Sequence, residues 1–157
     1  MSRKAPAAVR REQIRDHPTW SKTLPRVLAT DLERIGRADL RPEQIAGALA
    51  EWRRMARRSR RELSNASDDD VQHSGPLARD VLDTAVRVLP RRSSRTLRAL
   101  VRSPDEAIAA KTLPDPFADP ARPWWHRRLT DLYHGRPLTR RERERAYRQA
   151  GLGSPAS

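Results

Sequence analysis

The apolar residues of this chain recur three or four positions apart rather than two, a period that admits helices and leaves little room for sheet. The clearest case lies between Pro76 and Pro90. On a helical wheel Leu77, Ala78, Val81, Leu82, Ala85, Val88 and Leu89 share one arc, while Arg79, Asp80, Asp83, Thr84 and Arg87 hold the other. Upstream, the spacing predicts a helix over 25–35 that turns Val27, Leu28, Leu32 and Ile35 inward, with Gly36 suited to a left-handed C-terminal cap. A second helix is expected from Pro42, a good first-turn residue, to Leu63, with Ile45, Leu49, Trp52, Ala56 and Leu63 along its apolar stripe.

Prolines punctuate the rest. After Pro90 a short helix over 94–102 should bury Leu97, Leu100 and Val101. Ser103-Pro104-Asp105-Glu106 then spells a capping box, which predicts a fresh helix to Thr112. Residues 113–123 hold four prolines, so they are expected as an extended connector with Leu113 and Phe117 as anchors. A further helix is predicted from Trp124 to His134. Thr139-x-x-Glu142 forms a second capping box for a last helix to Ala150. The run LTRRERERAYRQAGL, from Leu138, resembles the opening of the helix-turn-helix of LuxR-type regulators, and the resemblance covers that run alone.

These elements make an all-α class: a small irregular multi-helix domain with a basic N-terminal arm and a proline-rich connector before two C-terminal helices. The expected organisation is a flexible basic arm over 1–22, a helical core over 23–112, the connector over 113–123, a helical pair over 124–150 and a tail over 151–157. The segment 64–75, SNASDDDVQHSG, reads as an acidic loop.

The core such a chain can build is thin. Leu, Ile, Val and Phe together number 28 of 157 residues, and so few large apolar groups beside a net charge of +13 border on the composition of disordered chains. Alanines favour helix, and four tryptophans bury much area each, which tips the balance toward a small folded core. Without cysteine there is no disulfide, thiolate nucleophile or thiolate metal site. No apolar run approaches a membrane span, and the first twenty residues lack a signal peptide's apolar region, so a cytoplasmic location is expected.

The positive charge is grouped. Segments 41–63, 91–113 and 114–157 each sum to +4, whereas 64–90 sums to −3. Nearly all of it is arginine, the lysines being Lys4, Lys22 and Lys111; a GC-rich coding sequence explains that bias as readily as selection for guanidinium chemistry. In the second predicted helix Arg53, Arg54, Arg57, Arg58, Arg60 and Arg61 fall opposite the apolar stripe, with Arg53, Arg57 and Arg61 recurring at i,i+4. Arg91, Arg92, Arg95, Arg98 and Arg102 make a second cluster, the last three turned away from Leu97 and Val101. Guanidinium forks suit phosphates, and counterion release drives such contacts. A merely solvated face accounts for the same runs. Trp124 and Trp125, beside Arg127 and Arg128, are candidates for stacking on bases, or for closing the core.

Catalytic patterns are missing. The six glycines form neither a phosphate loop nor a dinucleotide fingerprint, and no serine sits in a nucleophile elbow. His17, His73, His126 and His134 lack ligand spacing; His126 and His134 with Asp131 are too few for a metal centre, and Asp68 to Asp70 lead into no EF-hand. The expectation is a protein without enzymatic activity, cofactor, metal, membrane or small-molecule substrate. It would bind an anionic macromolecule, DNA or RNA, with little sequence specificity. The alternative is an adaptor or accessory subunit docking on an acidic protein surface.

Overall fold

The computed structural model describes residues 23–63, 75–130, 132–133 and 136–151. The expected arm over 1–22, the acidic stretch 64–74, the tail beyond 151 and the residues Asp131 and His134 lie outside the described residues. Six α-helices dominate what is described: α1 (Arg26–Ile35), α2 (Pro42–Arg57), α3 (Arg60–Leu63), α4 (Gly75–Val88), α5 (Arg91–Lys111) and α6 (Arg140–Gln149). The chain is mostly helical, as the apolar period requires.

Helix α1 ends at Gly36, whose φ of 65° places it in the left-handed region that relieves the last carbonyls; its N–H returns to the Leu32 carbonyl at 3.2 Å. Leu28 and Leu32 are buried as expected, but Val27 is exposed, because the short helix turns only one narrow edge to its neighbours.

α2, α4 and α5 pack on one another around Ile45, Leu49, Trp52, Leu82, Ala85, Leu97, Val101 and Ile108. Polar contacts fix their senses. Trp52 meets Asp105, and Lys111 Nζ donates to the carbonyls of Ala56 and Arg58 at 2.7 and 2.8 Å, so α2 and α5 run parallel. Arg79 reaches Asp105, and Ser94 Oγ donates to the Val86 carbonyl, so α4 runs against both. Gly75 starts α4 hard against Met55 of α2, where a Cβ would collide with the Met55 sulfur. Of the arc predicted for α4, Ala78, Leu82, Ala85 and Leu89 are buried; Leu77 and Val88 face outward, at 58% and 38% exposure.

Several sequence expectations are corrected here. The second helix does not run to Leu63: it ends at Arg57, Arg58 is extended, and Ser59 caps the separate turn α3. The Ser59 N–H and hydroxyl both donate to Glu62 Oε2, at 2.6 and 2.7 Å, and the Glu62 N–H returns to Ser59 Oγ. This is a capping box, Ser59-x-x-Glu62. It holds the Glu62 carboxyl below the usual carboxylate range, first through the hydroxyl and then through the backbone N–H.

Conversely, the two helices expected over 94–112 are one, α5, with Pro104 inside it. Ser103 makes no cap there, because Asp105 and Glu106 are spent elsewhere: Asp105 on Trp52 and Arg79, Glu106 on Arg102.

The pair of helices expected over 124–150 is also corrected. Trp124–His126 is a single 3₁₀ turn, followed by β2 (Arg128–Leu129), which pairs antiparallel with β1 (Leu113–Pro114), putting Leu113 opposite Leu129. β3 (Leu132–Tyr133) pairs with β4 (Arg136–Pro137). Helix is refused at Arg128 because its guanidinium leaves the segment to serve the end of α5, donating to the carbonyls of Ala109 and Thr112 at 2.7 and 2.5 Å and to Thr112 Oγ at 2.8 Å. The proline-rich connector is partly ordered by this pairing, with Leu113 buried and Phe117 exposed. α6 starts as predicted, at a capping box of Thr139 and Glu142, and buries Ala146.

Candidate functional site

The basic residues separate into those with carboxylate partners and those without. Arg34 pairs with Asp31, Arg54 with Glu51, Arg87 with Asp83 and Arg140 with Glu144. Arg79, placed by the sequence on the solvent side of its helix, is instead largely covered. It donates to both oxygens of Asp105 at 3.0 and 3.1 Å and lies 4.2 Å over the Trp125 ring. Its Nη1 is buried without a hydrogen bond, 4.0 Å from Asp83.

In the first cluster, Arg53 is half-buried and Arg57 is exposed, its Nε donating to the Arg53 carbonyl at 3.3 Å. The helix break sets Arg58 at the corner after α2, and Arg61 stands on α3. The continuous i,i+4 stripe of Arg53, Arg57 and Arg61 is therefore broken: Arg61 belongs to a different helix. Charge crowding at the end of α2 is what a break relieves, and the Ser59 cap supplies the alternative.

The second cluster forms a row. On the continuous helix α5, Arg91, Arg95, Arg98 and Arg102 fall at i, i+4, i+7 and i+11, within about 60° of one another on the wheel and along about 16 Å of axis. All four are exposed, with Arg92 exposed to one side. The opposite face of the same turns holds Ser93, Ser94, Leu97 and Val101, buried against α1 and α4. Arg91, Arg92, Arg95 and Arg98 have no carboxylate partner among the described residues, whereas Arg102 is held by Glu106 at 2.8 Å. Arg98 and Arg102 edge a cleft of about 550 Å³ between α4 and α5, floored by Val86 and Val101. Its carboxylates are matched: Asp105 by Arg79, Asp83 by Arg87, Glu106 by Arg102.

The N-terminal end of the row stands where the backbone resists it. The first turn of α5 carries no acidic residue and begins Arg91-Arg92, at the positive end of the helix dipole. Cations there are disfavoured by about 0.3 to 1 kcal/mol each. Positive charge is therefore kept there at an unfavourable position, exposed and without a carboxylate partner among the described residues.

The two clusters do not come together. Arg57 is level with Lys111 across the parallel helices, and Arg95 lies sixteen residues earlier on α5, about 24 Å away along the axis.

Of the two stacking candidates, Trp125 serves the interior. Trp125 is buried and donates to Asp80 Oδ1 at 2.8 Å, its ring edge-on to Trp124 and covered on one face by Arg79. Trp124 is half-buried, with Arg128 6.0 Å from its ring. His126 Nε2 lies 2.8 Å from both oxygens of Asp80. Among the described residues no three His, Cys, Asp or Glu side chains gather as a metal site, and no helix is long and apolar enough to cross a membrane.

Sequence reasoning missed the network Trp52–Asp105–Arg79–Trp125–Asp80, which joins α2, α4, α5 and the 3₁₀ turn. Its signal was faint: two charged residues, Arg79 and Asp80, adjacent on a helix whose core arc is narrow.

Compared with family models, with curated proteins and with solved structures, the chain finds no match.

Proposed function

We propose that this protein binds nucleic acid through its phosphates, without catalysis and with little sequence preference. The observation that carries the reading is the α5 row, where Arg91, Arg95 and Arg98 stand exposed along one line of a single helix, with no carboxylate partner among the described residues. Guanidinium groups a few ångströms apart along one line suit successive phosphates, and each contact releases condensed counterions. α5 is packed along one side by α1, α2 and α4, which leaves the arginine face as the part a phosphate backbone would meet. The arginines around the end of α2 join only if the polyanion extends about 14 Å beyond the Arg102 end of the row.

The test is fluorescence anisotropy with labelled oligonucleotides of unrelated sequence at about 50 mM salt, where phosphate contacts are strongest. Binding of similar strength to all of them is expected, weakening as salt rises. A protein that ignores both DNA and RNA under these conditions has another partner.

A further inference from the structure

We infer that the partner of the α5 row is double-stranded rather than single-stranded nucleic acid, an inference that rests on the nucleic-acid reading above. Proteins that hold single strands without sequence preference lay bases on exposed aromatic rings, each worth about 1 to 3 kcal/mol. Among the described residues, nothing beside the row can do this. The sequence of α5 has no aromatic residue, and the exposed positions flanking the arginines are Ala99 and Ser103. Trp52 is buried at the level of Asp105, and Trp125 is buried against Asp80. Phe117, the one large aromatic side chain described as exposed, lies beyond the far end of α5, with the Arg145 guanidinium 5.2 Å from its ring.

A duplex asks for no stacking platform, because its bases already stack on one another. It also offers more charge, one phosphate per roughly 1.7 Å of axis against 3.4 Å for each strand alone. A row about 16 Å long spans the axial rise of roughly five phosphates of one strand of a duplex. The surface therefore fits a partner that turns phosphates outward and keeps its bases to itself.

The experiment compares a DNA duplex, an RNA duplex and the separated strands, all of one length exceeding the row, against the full chain at about 50 mM salt. Either duplex is expected to bind at least about fivefold more tightly than its separated strands, as the doubled charge density requires. The variant R91E/R95E/R98E should remove that preference along with the affinity. Strands that bind as tightly as duplexes, or more tightly, overturn this inference and leave the nucleic-acid reading standing. A protein that binds neither overturns both. A duplex preference that survives in R91E/R95E/R98E overturns the assignment to α5.

Discussion

Asp105 stands on α5, accepts from the Trp52 indole of α2 at 2.8 Å and pairs with Arg79 of α4, so one carboxylate ties the three central helices. Arg79 in turn covers Trp125, whose indole N–H goes to Asp80. Asp105→Ala leaves a partly buried guanidinium and a buried indole N–H without an acceptor, and should lower stability by about 2 to 4 kcal/mol. Asp105→Asn keeps an acceptor oxygen but not the charge, and should fall between that variant and the parent. Urea midpoints at constant slope measure both. On α4, Leu82 is fully buried and Leu77 is largely exposed. Leu82→Asp should abolish the cooperative transition, because it sets an unpaired charge among Leu49, Leu97 and Val101. Leu77→Asp should stay within about 0.5 kcal/mol of the parent. Thermal melts of the pair distinguish a residue that is merely apolar from one that is core.

At the scale of elements, much of the order was legible wherever a local signal and the packing agreed. Pro42 starts α2, Gly36 ends α1, and the Thr139 capping box starts α6, each through a chemistry confined to a few neighbouring residues. The failures lie where distant groups decide. Pro104 reads as a helix start, yet α5 runs through it, because Pro104 and Ile108 are buried and Asp105 is held from two sides. Tertiary contact there outweighs a local preference of about 3 kcal/mol. Residues 124–134 read as helix, yet Trp125 and Arg128 reach in opposite directions, to Asp80 and to the end of α5. The break after α2 was legible in principle, since Ser59 and Glu62 spell a capping box as plainly as Thr139 and Glu142, but they sit inside an arginine run that masks them. Ser59→Ala should cost about 1 kcal/mol, the usual worth of a cap, and denaturant titration measures it. Because the Glu62 carboxyl is held below its usual range, the α3 cap contributes above the ordinary carboxylate pKa and fades as pH falls through the lowered value.

The whole molecule is a three-helix centre, flanked by α1 and by the small C-terminal ladders, that carries unmatched positive charge on one side of α5. The candidate site was legible as residues but not as geometry. Arg95, Arg98 and Arg102 turn outward as the apolar spacing implies, whereas joining Arg91 to them depended on α5 starting at Arg91 rather than at residue 94. Glu106 shares the row with Arg102 and competes with any anion for it. Glu106→Gln frees that guanidinium, so duplex affinity should rise and its salt slope steepen by about 0.9, the increment of one phosphate. An unchanged slope in an equilibrium titration would remove Arg102 from the contact.

The most direct test of the account is the slope of log affinity against log salt for a nucleic-acid duplex, compared between the parent and R91E/R95E/R98E. The substituted side chains are exposed, and a carboxylate in the first turn of α5 suits the helix dipole, so the variant should melt no lower than the parent. Its slope should be flatter by about 2.7, three phosphates at 0.9 each, and its affinity lower for every sequence alike. A variant that melts like the parent and binds with the parent's affinity and slope would contradict the claim that the α5 row is where this protein meets its partner.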